Sequence, residues 1–317
     1  NFFNLAPSDQ HMPLVIMLVF TQLSVGAFAV DTLMNLDSAS QLSITLGRSQ
    51  SLVALALGLL ALGASVFHLG RPLYAFRAFI GLRKSWMSRE IVAFGLFVSL
   101  AMVYALSYWA TPAYQSLQLD AVLGLKAQEL HRWLSYATTA TGALALTCSI
   151  MIYKTTQRLW WDGPTTSIKF LGTAAVLGVA TMALTVSLTG LIFPEHELKE
   201  SLHHLLRILI VLSVGKLIYE ASIFLHLFDK QQGDLKRTAL LMRRDLAKET
   251  SFRFALGAFG GLLVPSLLIA SDVSTSFKAP TIFVGLVMLA LIGGEILERV
   301  LFFRAVSAPR MPGAVGQ

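Results

Sequence analysis

Cysteine is almost absent from this sequence, and its scarcity limits the chemistry that the protein can perform alone. Cys148 is the only cysteine among 317 residues, so an internal disulfide is impossible. There is also no cysteine cluster to hold an iron–sulfur centre or a structural zinc ion. If electrons pass through this protein, we expect another subunit to hold the metal clusters.

Charged residues are also scarce. They make up 14% of the chain, against 55% hydrophobic residues, and the mean hydropathy is +0.66. This leaves too little polar surface for a soluble globule. A helix needs about 20 mostly apolar residues to cross roughly 30 Å of hydrocarbon. The sequence therefore predicts an all-α integral membrane protein, an eight-transmembrane-helix bundle that forms a single membrane domain over 1–317. The predicted helices lie near residues 13–35, 51–69, 88–110, 129–153, 167–193, 202–228, 252–271 and 280–303.

Positive charge is unevenly shared between the two ends of the predicted helices. The loops on one side carry only Arg48, Lys126, Lys199 and Lys278. The loops after the second, fourth and sixth helices carry fifteen basic residues: Arg71, Arg77, Arg83, Lys84, Arg89, Lys154, Arg158, Lys169, Lys230, Lys236, Arg237, Arg243, Arg244, Lys248 and Arg253. The positive-inside rule then places these loops and both termini in the cytoplasm. We expect a multi-pass protein of the bacterial cytoplasmic (inner) membrane. Its partners should include membrane lipid and no nucleic acid.

The longest polar segment is the basic cytoplasmic loop 229–253. Apolar residues at 235 and 240–242 alternate with basic ones, which favours an amphipathic interfacial helix with one lipid-facing and one cationic side. A solvated loop that only fixes orientation is an equal alternative. Because residue 1 is Asn rather than Met, we expect the gene product to extend further upstream.

The most informative segment is 68–91, because it sets His68 and Glu90 at the two ends of a short basic loop between apolar helices. Both side chains then lie at one membrane face. A histidine and a carboxylate suit a quinone head group, since one can hydrogen-bond a ring oxygen and the other can exchange a proton. The alternative is structural: each group lies near a helix end, where its charge is favourable against the helix dipole.

Several other charges fall inside the predicted helices, where a carboxylate costs roughly 2.5–3.5 kcal/mol on insertion scales. Glu220, Glu295 and Arg299 are candidates for a proton path on the cytoplasmic side. Lys216 and Glu220 are four residues apart, as are Glu295 and Arg299, so structural ion pairs explain them comparably well. Asp31 is expected at the outer interface.

A set of positions spread over the first five helices and the last one carries a family resemblance: Pro13, Leu14, Phe20, Gln22, Gly26, Phe28, His68, Leu69, Gly70, Pro72, Ala75, Phe76, Ser88, Glu90, Ile91, Tyr153, Pro164, Thr166, Gly294, Glu295, Arg299 and Phe302. In these positions the sequence resembles the membrane-anchor subunits of the dimethyl sulfoxide reductase type, and the resemblance runs through most of its length. The sequence departs from the family pattern in the long basic loop 229–253 and in the His-rich start of the sixth helix.

This resemblance implies an eight-helix polypeptide that oxidises quinol, or runs the reverse reaction, without haem of its own. The quinone would be menaquinone or ubiquinone. His68 and Glu90 match the family positions associated with the quinol site, and the quinone-binding set expected here is His68, Arg71, Arg89 and Glu90. The implied partners are an iron–sulfur subunit and a molybdopterin catalytic subunit, with no metal held by this chain.

Two other readings of the residues stay open. A two-haem cytochrome b anchor could use His68 and His226 near the inner face and His131 with His203 or His204 near the outer face, provided that the ligands match in depth. A secondary transporter could use the buried charges. Paired broken helices are typical of transporters, and Gly260, Gly261 and Pro265 are the one obvious interruption in the sequence.

Overall fold

A computed structural model describes residues 6–8, 12–34, 41–68, 72–118, 126–194, 196–271 and 277–306. Every regular element in these ranges is helical, and eight helices are long and apolar enough to cross a membrane. The predicted fold class is confirmed. The eight helices are α1 (Met12–Met34), α2 (Gln41–His68), α3 (Trp86–Ser116), α4 (Ala127–Lys154), α5 (Gly163–Ile192), α6 (His196–Ala221), α7 (Ala247–Ala270) and α8 (Lys278–Arg304).

The helices extend beyond the apolar runs that predict them. α2 begins at Gln41, ten residues before the expected start at 51, and α6 begins at His196 rather than near 202. Hydropathy marks only the part of a helix that lies in hydrocarbon, whereas capping side chains set the ends. At the start of α5, the Asp162 carboxylate accepts a 2.9 Å hydrogen bond from the backbone N–H of Thr165, and Pro164 follows in the first turn.

α5 lies at the centre of the bundle and packs against α1, α4, α6 and α8. Its crossing with α1 depends on two glycines. A Cβ atom on Gly26 would lie 1.8 Å from the carbonyl oxygen of Ala174, and one on Gly178 would lie 2.4 Å from the backbone of Gly26. Small residues let membrane helices approach this closely and gain backbone contact. This crossing holds the two halves of the bundle together.

The predicted interruption in α7 is a π-helical turn, Phe259–Leu263, between the α-helical segments Ala247–Ala258 and Val264–Ala270. Gly260 and Gly261 are buried there, and a Cβ atom on Gly261 would lie 2.5 Å from the Ser213 side chain of α6. The turn therefore brings α7 close to α6.

The basic loop 229–253 differs from its expected arrangement. A 3₁₀ segment, Ser222–Phe228, follows α6 and leads to a helix, Asp234–Arg243, which is amphipathic as predicted. Its apolar side is buried against protein rather than lipid: Ala239 and Met242 pack in one cluster with Trp160 and Leu301. The helix thus covers one end of the bundle. The last part of the loop, from Ala247 onward, already belongs to α7.

The connection between α2 and α3 contains a 3₁₀ segment, Pro72–Arg77, and a short helical turn, Ala78–Gly81. It carries exposed apolar side chains, with Phe76 61% and Ile80 83% exposed. Arg77 and Arg83 are exposed beside them. This combined aromatic and basic surface lies at the same end of the bundle as Glu90.

Candidate functional site

Glu90 lies one turn inside α3, which begins at Trp86, rather than in the first helical turn. Its side chain is buried, at 9% exposure. The hydroxyl of Ser149 on α4 donates a hydrogen bond to Glu90 Oε1. A buried carboxylate must keep a donor, because an unpaired one is costly. The contact with Ser149 fixes the carboxylate at the boundary of α3 and α4.

A cavity of about 580 Å³ lies next to Glu90. The ends of α1, α2, α3, α4 and α8 enclose it, and most of its walls are apolar. Pockets of this size and character are typical of sites for small molecules. The lining residues are Ser8, Leu14, Met17, Thr21, Leu62, Ser65, Met87, Glu90, Ile91, Phe94, Ile152, Tyr153, Arg158, Trp161, Phe303 and Val306.

The other expected quinone-binding residues are placed differently. His68 is the last residue of α2, but its side chain and all of Arg71 lie outside the described residues. Ser65, three residues before His68, lines the cavity, so the end of α2 borders it. Arg89 is not among the residues that line the cavity. Its guanidinium donates to the carbonyl oxygens of Leu82 (2.8 Å) and Arg83 (3.1 Å). It holds the α2–α3 connection to α3.

A network of buried charges lies deeper in the bundle, between α5, α6, α7 and α8. The predicted pair of Lys216 and Glu220 is present, with Nζ and Oε1 3.6 Å apart. Lys216 also contacts Glu295 on α8. Arg253 binds Glu220 through two 2.8 Å hydrogen bonds and Glu295 through one of 3.0 Å. The two carboxylates are therefore held by two shared cations.

The second half of the network is centred on Arg299. The expected partner of this residue was Glu295, but its ion pair is with Glu298, at 3.3 Å. Lys169 of α5 binds the other oxygen of Glu298, also at 3.3 Å. Arg299 further donates to Gln22 of α1 (2.9 Å) and Thr173 of α5 (3.3 Å). Its Nε and Nη1 atoms have no hydrogen-bond partner among the described residues.

Among the described residues, positive charge exceeds negative charge in this network by one. The four cations are Lys169, Lys216, Arg253 and Arg299, and the three carboxylates are Glu220, Glu295 and Glu298; all seven are buried. Ion pairs of this kind offset the desolvation of charged groups only when their geometry is good. The excess cation makes the network sensitive to the loss of any carboxylate.

A layer of aromatic rings separates the cavity from the charge network. Tyr153 lines the cavity, and its ring centroid lies 5.6 Å from that of Phe170 and 5.2 Å from that of Phe302. The Arg299 guanidinium lies on the far side, 4.1 Å from the Phe170 centroid. Such cation–π contacts stabilise a buried guanidinium. The layer keeps the charges and the cavity as neighbouring but distinct regions.

The sequence analysis did not identify several residues of this site. Lys169 and Arg253, counted there as loop charges, are buried in α5 and α7. Glu298, one residue before Arg299, was not predicted. Its carboxylate within the apolar helix α8 was a signal of a buried ion pair that the sequence analysis could have used. Ser149 gives no sequence signal. Asp31, near the end of α1, is buried at 1% exposure and accepts a 2.7 Å hydrogen bond from Tyr104.

The histidines of the two-haem alternative have other contacts. The ring nitrogens of His131 lie 2.6 Å from the Ser107 hydroxyl and 3.1 Å from that of Thr111. His226 is partly exposed and binds Asp229 at 2.8 Å. Within the described ranges, no group of three or more His, Cys, Asp or Glu residues is arranged to hold a metal ion.

The geometry defines a multi-pass membrane protein with a cavity and a buried acid at one end of its bundle. Comparison with known proteins agrees with this class. The family model of the DMSO reductase anchor subunit (DmsC) matches residues 8–304. The chain therefore belongs to the DMSO reductase anchor subunit family.

Two curated relatives are similar to parts of this protein. A sulfite dehydrogenase subunit of Allochromatium vinosum is 36% identical over 129 residues, which are 40% of this sequence and 39% of the relative. A polypeptide of the anaerobic dimethyl sulfoxide reductase of Haemophilus influenzae is 31% identical over 194 residues, or 61% of this sequence and 63% of the relative. The matches thus span less than two thirds of either relative.

Proposed function

We propose that this protein anchors a molybdopterin oxidoreductase complex in the membrane and passes electrons between the quinone pool and an iron–sulfur subunit. The observation that carries the proposal is the position of Glu90, buried beside Ser149 on the wall of a largely apolar 580 Å³ cavity. The cavity residues suit a quinone: apolar walls for the ring and the start of its tail, and a few polar groups for the ring oxygens.

Quinol oxidation releases two electrons and two protons. In the proposed site, the Glu90 carboxylate accepts the two protons of the quinol hydroxyls one after the other, giving up the first before it takes the second, and Ser149 holds the carboxylate in place for both transfers. The electrons leave for an iron–sulfur cluster of the partner. In the reverse direction the same groups return protons to a quinone. His68, at the end of α2, and Arg71 are proposed as further quinone-binding residues.

We place the partners, an iron–sulfur subunit and a molybdopterin catalytic subunit, over the α2–α3 connection. Arg77, Arg83 and Lys84 are exposed there beside Phe76 and Phe79. Charge complementarity of this kind steers and orients a docking partner. The proposed location is the bacterial inner membrane with both termini cytoplasmic, and the proposed role is in anaerobic respiration. No haem is expected in this protein.

Glu220, Glu295 and Arg299 remain candidates for a proton path, and we propose that protons move along the network to which they belong. The support is the unbroken series of hydrogen bonds from Gln22 through Arg299 and Thr173 to Glu295. Arg253 and Lys216 continue that series to Glu220. Stable ion pairing explains the same contacts, and proton uptake in variants of Glu220 separates the two roles.

Purification of the native complex tests the proposed function. We expect iron–sulfur and molybdopterin subunits to copurify with the anchor, quinone to be extracted with it, and a quinol analogue to inhibit turnover by competing with quinol. An anchor that purifies alone, with no bound quinone and no quinol-linked activity in its complex, would overturn the proposal. Soret and α bands assigned to this subunit would restore the two-haem alternative.

A further inference from the structure

We propose that Tyr153 is a second polar ligand of the quinone head group, and that its phenol hydroxyl binds a ring oxygen in the cavity beside Glu90. This inference rests on the proposed function of the cavity. It adds a named contact on α4 to a site whose sequence-derived residues all come from α2, α3 and the loop between them.

The ring of Tyr153 is held rigidly. It is only 8% exposed, and four aromatic rings surround it edge-on, with centroid distances between 5.2 and 5.7 Å. These rings belong to Trp161, Phe170, Phe302 and Phe303. Edge-to-face packing of this kind fixes a ring in one orientation. Its hydroxyl is therefore preorganised before any ligand arrives, which lowers the entropic cost of binding.

The hydroxyl of Tyr153 has no hydrogen-bond partner among the described residues. Other buried tyrosines do have one: Tyr104 donates to Asp31 at 2.7 Å, and Tyr108 lies 2.9 Å from the Tyr104 hydroxyl. Buried phenol groups are nearly always hydrogen-bonded. Since Tyr153 lines the cavity, a molecule in the cavity is the natural partner for its hydroxyl.

The spacing along α4 places Tyr153 near Glu90. Ser149 holds Glu90, and Tyr153 follows four residues later on the same helix face, so the two positions are about 5–6 Å apart at Cβ. Glu90 and Tyr153 both line the cavity, so one quinone head group can contact both. The carboxylate accepts from a quinol hydroxyl, while the phenol both donates and accepts. One pair of residues thereby serves both redox states.

Other polar groups on the cavity wall could compete for that oxygen. Arg158 lies in the α4–α5 connection, with its guanidinium over the Trp161 ring at 4.6 Å. Ser65 donates to the Leu62 carbonyl at 2.7 Å and Thr21 to the Leu18 carbonyl at 3.0 Å. These two hydroxyls are occupied by their own helices. Ser8, which precedes α1, also lines the cavity. Arg158 and Ser8 are therefore the competitors that the experiment must separate from Tyr153.

The test uses Tyr153→Phe in the complete complex, because this variant removes the hydroxyl and keeps the ring. We expect the KM for quinol to rise about tenfold, with turnover from a soluble electron donor and thermal stability unchanged. Tyr219→Phe is the matched control: it removes a hydroxyl that donates to Thr165 at 3.3 Å, outside the cavity lining. It should leave the KM unchanged.

A second measurement reports the contact without turnover. With carbonyl-labelled quinone bound, the infrared stretch of one carbonyl should move to higher frequency in Tyr153→Phe, because a hydrogen bond to it is lost. An unchanged KM and an unchanged infrared band would overturn the proposal. So would a rise in KM confined to Arg158→Gln or to Ser8→Ala. If the wild-type complex has no quinol-linked turnover, the proposed function itself fails; if only Glu90→Gln is inactive, the role of Tyr153 alone is refuted.

Discussion

The hydroxyl of Ser149 on α4 donates a hydrogen bond to the carboxylate of Glu90 on α3, although the two residues are 59 positions apart in the sequence. The bond places an ionisable group at a set point on a largely apolar cavity wall. Because the same hydroxyl oxygen lies 3.3 Å from the Ala145 carbonyl oxygen, its second possible acceptor, the Ser149 rotamer is restrained by α4. The orientation of Glu90 is thus determined by a helix other than its own.

Ser149→Ala should lower quinol-linked kcat/KM by about tenfold, since a hydrogen bond to a charged group is worth roughly 1.5–3 kcal/mol. The variant leaves the carboxylate itself in place, so activity should fall and not vanish. Steady-state assays with quinol and with a soluble donor check this. Ser149→Thr, which keeps the hydroxyl, is the control, and equal activity in Ser149→Ala and wild type would mean that the bond does not position Glu90.

The excess cation of the buried network makes a prediction about stability. Glu298→Gln leaves both Lys169 and Arg299 without their shared carboxylate, and breaking a buried pair typically costs about 3–5 kcal/mol. Lys169→Met should lower the stability by less, because Glu298 keeps its ion pair with Arg299 and the three remaining cations balance the three carboxylates. Thermal unfolding of the purified complex compares the two. A larger loss of stability in Lys169→Met than in Glu298→Gln would contradict the charge count.

The sequence predicts the helices well, because apolar runs of about 20 residues have one stable arrangement in a bilayer. It predicts the loops less well, because a basic residue near a helix end can either face water or be buried with a partner. Lys169 and Arg253 are buried because acids on other helices, Glu298, Glu220 and Glu295, lie beside them. Such a contact depends on tertiary packing, which composition does not encode.

Charge reversal in the α2–α3 connection tests the docking surface. Arg77→Glu with Arg83→Glu should release the iron–sulfur and catalytic subunits while the anchor stays inserted, since the remaining basic loops still fix its orientation. The amount of each subunit that stays bound after membrane washing at low and high salt measures the release. Arg243→Glu with Arg244→Glu, a second exposed basic pair in another connection, is the control. If only the control pair releases the subunits, the docking surface lies on the Asp234–Arg243 helix and not on the α2–α3 connection.

Cysteine labelling tests the orientation of the bundle. Ser85→Cys lies in the connection before α3 and Ser201→Cys near the opposite end, in α6. We expect a membrane-impermeant maleimide to label Ser201→Cys in intact cells and Ser85→Cys only after lysis. Cys148 is buried and should stay unlabelled. Labelling of Ser85→Cys from outside would invert the topology and place the partners on the other face.

The candidate site was only partly predictable from sequence. The pairing of Glu90 with the end of α2 follows from the order of helices, since a short connection returns the chain to the same membrane face. Ser149 and Tyr153 could not be found this way. They lie on α4, whose contact with α3 is set by side-chain packing rather than by the order of helices, and serine and tyrosine are common in membrane helices without a functional role.

The most direct test of the central claim is the quinol-linked turnover of Glu90→Gln in the intact complex. Glutamine keeps the shape and can still accept from Ser149, but it has no carboxylate to take a proton. We expect quinol-linked turnover to fall by about 10²–10⁴-fold, the usual contribution of a general base. Turnover from a soluble donor and the set of subunits in the complex should be unchanged. Wild-type quinol turnover in Glu90→Gln would contradict the account and remove this residue from the site.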